Sequence, residues 1–225
     1  FLIVIAFMGF IQWKPGINKD ACHESIVLRS TFNFGYFEMG KYIPMKCKTE
    51  NVCFSFSGED CEDAFGISTK ENPIAITKIK LNKDPVIARE EIKNWIADEM
   101  YDCNSMLGEG KLDFMPHKFY KYDYCLLCSR FALSRLAREK IEGIAYWEIY
   151  DTLSKKKTNN GKSYLEIIYP GWTNPRDSEK LFEAMKNSPE ASDELKNLKY
   201  TDWKIDLDLI NGYTIAAKMS PKGYW

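Results

Sequence analysis

Seven cysteines in one chain constrain the fold more than any other feature: Cys22, Cys47, Cys53, Cys61, Cys103, Cys125 and Cys128. In an oxidising compartment such a set forms a disulfide framework, whereas in a reducing one the same thiols are buried as small hydrophobes or bind metal. The oxidised reading makes all seven disulfide candidates, and an odd count leaves one cysteine to stay free, bridge to a partner or bind something. Connectivity does not follow from spacing, although the crowding of Cys47, Cys53 and Cys61 points to at least one short local loop.

The second constraint is the N-terminal run Phe1–Trp13, FLIVIAFMGFIQW, which carries no charge before Lys14 and is followed by Pro15-Gly16. A span takes roughly 20 apolar residues, so the run covers about two-thirds of a bilayer. We read residues 1–13 as a shortened membrane anchor with Trp13 at the interface. The chain starts at Phe1 rather than Met, which suggests preceding residues or a processed leader. A buried helix or the apolar part of a signal peptide are the alternatives. With the thiols beyond the anchor, this places the chain on the extracytoplasmic face of a membrane. Residues 14–24 then form a linker, 25–170 a cysteine-rich ectodomain, and 171–225 a smaller C-terminal module, set off by the broken stretch Tyr169–Pro175.

Composition excludes some partners. Apolar residues make up 45% and charged residues 28%, a balance that builds a core. A net charge of −1 offers no excess to collect phosphates, so nucleic acid is not expected as a partner.

Along the chain, 26–37 alternates as a strand, and 42–47 and 52–56 read as strands joined by a polar hairpin loop. Residues 74–81 alternate again. The clearest helix runs from Pro85 to about Leu107, with Asp84 as its N-cap and Pro85 at the first helical position. Its apolar stripe includes Ile92, Trp95, Ile96, Met100 and Cys103. Residues 119–124 are strand-like, short helices are expected over 134–141 and 146–156, and a hairpin is expected across Asn211-Gly212. The resulting fold class is α+β: an antiparallel sheet packed on a long helix, stapled by disulfides, with an N-terminal transmembrane segment.

Few constellations suggest chemistry. Cys125-Leu126-Leu127-Cys128 has the CxxC spacing of thiol oxidoreductases, in which a helix N-terminus activates the first thiol; here aromatic residues precede it instead. Each of the pair can equally form a structural bridge, one of them to Cys103. Cys103, His117, Cys125 and Cys128 could supply a tetrahedral zinc set, although only one pair is closely spaced. Cys22-His23-Glu24 places reactive types side by side, where neighbours on an extended chain point apart. The acidic loop Glu59–Asp63 lacks the ligand spacing of a dedicated calcium loop. No phosphate-cradle or hydrolase pattern occurs, and the sequence calls for no cofactor.

The strings ACHESIVLRSTFNFG (21–35), CKTENVC (47–53), IADEMYDCNSMLGEGKLDFMPH (96–117), YCLLCSR (124–130) and KKKTNNGKSYLEIIYP (155–170) resemble uncharacterised proteins of small, host-associated (DPANN-type) archaea. The resemblance implies a hydrophobic N-terminal anchor and an extracytoplasmic cysteine-bearing domain, and it brings no activity. Together with the 14% aromatic content and the odd cysteine, the expectation is a cell-envelope or surface protein with a structural or assembly role. It would associate with copies of itself or with other envelope proteins. The alternatives are an envelope thiol-disulfide oxidoreductase acting through Cys125 and Cys128, and a small-ligand or metal-binding module.

Overall fold

In the computed structural model, residues 18–34, 37–59, 61–65, 75–112, 124–172, 174, 176–188, 192–200, 204–205 and 213–219 are described. The architecture follows from one strand that is buried on both faces. In β3 (Glu50–Ser55), four successive residues, Val52, Cys53, Phe54 and Ser55, are buried. A strand covered on both sides is typical of parallel pairing, because crossover connections bring cover to each face. Accordingly β3 pairs in parallel with β4 (Ile76–Lys80) on one side and with β5 (Tyr124–Leu133) on the other. Strand β8 (Tyr213–Met219) closes the sheet antiparallel to β5, giving the order β4-β3-β5-β8.

This corrects the expected antiparallel sheet: three of the four strands run parallel, and the hairpin expected between 42–47 and 52–56 does not form. Met39–Tyr42 is a 3-10 turn, and irregular chain leads from it into β3. Residues 26–37 also differ from expectation. Helix α1 (Asn18–Thr31) takes most of that stretch, with buried Cys22, Ser25 and Ile26 at the three- and four-residue steps of one helix face. Only the short pair β1 (Asn33–Phe34) and β2 (Phe37–Glu38) is extended there. The apparent alternation came from aromatic residues beyond Thr31, after the helix has ended.

A helix of four residues, α2 (Glu62–Phe65), follows β3. Helix α3 (Pro85–Met106) forms as the sequence dictates, with the Asp84 side chain accepting from the Val86 amide at 2.8 Å and Pro85 in the first turn. It stops at Gly108, whose φ of +76° and close approach to Leu112 leave no room for a side chain; an added Cβ would lie 2.3 Å from Leu112 Cγ. After β5 come α4 (Arg135–Lys140), capped by Ser134, then β6 (Ile144–Ala145), α5 (Tyr146–Lys155) and α6 (Tyr164–Ile168). Helices α7 (Asp177–Lys186) and α8 (Asp193–Asn197) precede β7 (Lys204–Ile205), which pairs with β6. Residues 171–225, read from the sequence as a smaller module, thus contribute β8 to the main sheet and β7 to the β6 ladder. The expected hairpin across Asn211-Gly212 and the strand-like 119–123 lie outside the described residues.

Alternation along β3 and β5 sorts the core. Val52, Phe54, Phe131 and Leu133 meet Ala88, Ile92 and Ile96 of α3, and Trp95 joins Phe54 and Phe131 edge-on at 5.2 and 5.4 Å between ring centroids. Cys53 and Ala132 point the other way, into a smaller cluster with Cys61, Ala64 and Phe65.

The expectation of a transmembrane segment and of the membrane as a partner is also corrected. Among the described residues no helix is long and apolar enough to cross a membrane. The 22-residue α3 carries Arg89, Glu90, Glu91, Lys93, Asp98, Glu99 and Asp102. Residues 1–13, to which the anchor was assigned, lie outside the described residues.

Candidate functional site

Three disulfides organise the site: Cys22–Cys47, Cys53–Cys61 and Cys103–Cys128, with Cα separations of 4.3, 5.7 and 5.7 Å. The first ties α1 to the chain entering β3. The second closes the short loop after β3, where the crowding of cysteines pointed to one. The third fastens α3 to β5. Together they use six of the seven cysteines, and the seventh is Cys125. Bonds of this kind persist in extracellular or other oxidising settings.

Cys128 owes its position to an irregularity in β5. The register with β8 passes from Leu127↔Ala216 to Ser129↔Ile215, so Cys128 is the extra residue of a bulge. Bulges re-aim side chains, and this one lets Cys128 reach Cys103 while Ser129 and Phe131 continue the buried pattern. Cys22, Ile26, Cys103, Leu107 and Cys128 form one cluster, so two of the bridges share a core between α1, α3 and β5.

Over this cluster lies a charged seam. Lys19 Nζ of α1 pairs with Glu99 and, at 2.8 Å, with Asp102, both on α3. His23 Nδ1 donates to the Met106 carbonyl at 2.9 Å, capping a carbonyl of the last turn of α3. Glu99 is buried, and burial pushes its carboxyl above the usual carboxylate range, with the Glu50 charge adding to the effect. The hydrogen bond and charge of Lys19 oppose that rise without cancelling it. Burial alone would lower the Lys19 ammonium, but its bonds to Asp102 and Glu99 more than offset this, and the net shift is upward. A groove of about 270 Å³ runs beside the seam, lined by Lys19, Asp20, His23, Asp102, Ser105 and Met106. A smaller cavity of about 20 Å³ shares Lys19 and Met106 with the groove and is also lined by Glu99, Cys103 and Cys128.

A second ionic group joins α3 to α5. Arg89 makes a two-pronged contact with Glu148 at 2.6 and 2.5 Å, and Glu148 also accepts from the Ala145 amide at 2.9 Å. Burial would raise the Glu148 carboxyl, but Arg89 holds it below the usual range. Lys93 completes the group, 3.5 Å from Glu148. This set fastens one helix to another.

The sequence candidates separate on this frame. Cys125 and Cys128 lie three residues apart on an extended strand, about 10 Å at roughly 3.3 Å per residue, beyond the ~7 Å that a disulfide spans. The CxxC motif sits within a strand, away from any helix N-terminus, and Cys128 is bonded to Cys103. Of the four zinc candidates, Cys103 and Cys128 are bonded to each other and His117 lies outside the described residues. Among the described residues no group of three His, Cys, Asp or Glu is placed to hold a metal ion. Cys22 and His23 sit on a helix, with Cys22 buried in its bridge and His23 and Glu24 exposed. In the acidic loop, Glu59 accepts hydrogen bonds from Ser134 Oγ and Ser57 Oγ, and Ser134 foremost lowers its carboxyl pKa. Sequence reasoning passed over Lys19, Glu99 and Asp102. Glu99 carried a usable signal, since it falls at the helical step between Ile92, Ile96 and Cys103 on the apolar face of α3.

No protein family matches this chain, and neither the curated proteins nor the solved structures contain a significant match.

Proposed function

We propose that the chain is an extracytoplasmic domain of the cell envelope or surface that works by associating with another protein. The observation that supports this reading is the disulfide framework, which fixes α1, the sheet and α3 to one another and suits a scaffold that holds its shape outside the cell. Held on that scaffold, Val27 and Leu28 of α1 and Phe32 just past its end face outward at 36, 42 and 43% exposure. The Phe32 amide donates to the Leu28 carbonyl at 3.1 Å, which carries the helical turn one residue further and sets the two side chains on one side of it as a small apolar patch. A protein partner in the same oxidising compartment is the occupant that such a patch fits.

Site-specific photo-crosslinking in intact cells tests the reading. A crosslinker at Leu28 or Phe32 is expected to give one discrete protein adduct, and the same group at exposed Glu139 is expected to give none. Equal labelling at all three positions, or no adduct at any of them, contradicts an associative role for this face.

A further inference from the structure

We propose that the Cys103–Cys128 bridge is a thiol-exchange site, opened by a small thiol that attacks Cys128 while the Glu99 carboxyl supplies the proton to the departing Cys103 sulfur. The inference goes beyond the associative reading and does not rest on it.

The placement carries the argument. Glu99 and Cys103 are four residues apart on α3 and therefore share one face of the helix. The 20 Å³ cavity is lined by both of these residues and by Cys128, and also by Lys19, Lys48 and Glu50. Cations beside a disulfide stabilise the thiolate that leaves, and here Lys48 joins Lys19, whose charge is shared with Glu99 and Asp102. The bulge at Cys128 leaves that residue out of the ladder with β8, so the sulfur can shift without breaking a pair there. Burial supports the proton-donor role by keeping the Glu99 carboxyl protonated further up the pH scale than a solvated one.

The other two bridges lack this set. Cys53–Cys61 is packed among Ala64, Phe65 and Ala132, with its sulfurs against the Glu59 and Ala132 carbonyls at 3.5 and 3.6 Å. In Cys22–Cys47, Cys22 packs against Ile26, while Cys47 is only partly buried. Exposure alone would thus favour attack at Cys47. The ionisable lining favours Cys128.

The chemistry balances as ordinary exchange. The incoming thiolate forms a bond to Cys128 Sγ, the Cys103–Cys128 bond breaks, and its electron pair departs on Cys103 Sγ, which takes the Glu99 proton. A second thiolate then attacks the outer sulfur of the mixed disulfide, releasing Cys128 as a thiolate that takes a proton from solvent, with the small-molecule disulfide as product. Two small thiols are oxidised and one protein disulfide is reduced. Glu99 regains its proton from solvent. The charged groups around it are Lys19 from α1, Asp102 through Lys19, and Glu50 and Lys48 from the β3 side.

Graded reduced glutathione, followed by differential alkylation and peptide mapping, reads the opening rate of each bridge in the same molecule. Cys103–Cys128 is expected to open first, and Glu99→Gln to slow that bridge about tenfold while leaving Cys53–Cys61 unchanged. The slowing should be greatest at acid pH and vanish once Glu99 is ionised. Because unfolding exposes all bridges together, the ratio of the Cys103–Cys128 rate to the Cys53–Cys61 rate separates exchange from loss of fold, even in a destabilised variant. Earlier opening of Cys22–Cys47 or Cys53–Cys61, simultaneous opening of all three, or a Glu99→Gln effect that is absent or constant with pH overturns the proposal.

Discussion

Removing the Cys22–Cys47 bridge by a double change to alanine is expected to cost more than removing Cys53–Cys61. In the chain-entropy account, a cross-link stabilises by restricting the unfolded chain, and its worth grows with the logarithm of the loop it closes. Cys22 and Cys47 are 25 residues apart, which gives about 3.5 kcal/mol, whereas the separation of 8 between Cys53 and Cys61 gives about 2.5 kcal/mol. Burial does not separate the two bridges, since Cys22 at 1% and Cys53 at 0% exposure are equally buried, but loss of the first also loosens the helix that carries Lys19. For a chain of this length, each kcal/mol shifts the melting temperature by about 2–4 °C, so the first variant should melt about 7–14 °C lower. Urea unfolding of the two double variants beside the parent, all without reductant, measures the difference directly. A Cys22→Ala/Cys47→Ala variant that loses less than the Cys53→Ala/Cys61→Ala variant refutes the loop argument for this fold.

Other perturbations test the packing and the charges. Phe54→Ala empties the centre of the Phe54–Trp95–Phe131 cluster and is expected to cost about 3–5 kcal/mol by urea denaturation. Asp84→Ala removes the side-chain cap of α3 and should cost about 1 kcal/mol, with Asp84→Asn restoring most of it. Arg89→Met leaves the half-buried Glu148 carboxylate without its main partner and is expected to cost about 3 kcal/mol near neutral pH. Because the folded-state pKa of Glu148 lies below its unfolded value, the stability from that pair is fully present above the unfolded value. It is lost as pH falls through the folded one, so the gap between parent and Arg89→Met should close in acid. A gap that stays constant with pH contradicts the assignment.

Local signals were readable in the sequence and pairing signals were not. Helix α3 announced itself through Asp84, Pro85 and the stripe from Ile92 to Cys103, and Ser134 marked the start of α4, because caps and periodicity are properties of a short stretch. Strand β3 was visible as an apolar run, but its partners were not. Hairpin logic favoured the preceding residues, while the structure pairs it with Ile76–Lys80 and with Ser129–Leu133. The clue was that Val52, Cys53 and Phe54 are apolar without alternation, as in a strand covered on both faces. Helix α1 was misread because Phe32 and Phe34 extend an apparent alternation past the helix end, while Cys22, Ser25 and Ile26 carry the true three- and four-residue spacing. The site was legible only in part. The sequence named every cysteine and raised a bridge from Cys103 to the following segment, yet it could not foresee that a bulge would turn Cys128 toward that helix or that Lys19 would cross to Glu99.

The disulfide framework is the claim on which the rest depends, and peptide mapping of the protein isolated from its native source, alkylated without reduction, tests it most directly. The account expects three linked peptide pairs, Cys22 with Cys47, Cys53 with Cys61 and Cys103 with Cys128, and Cys125 in none of them. A Cys125–Cys128 link, or seven cysteines all alkylated without reduction, contradicts it.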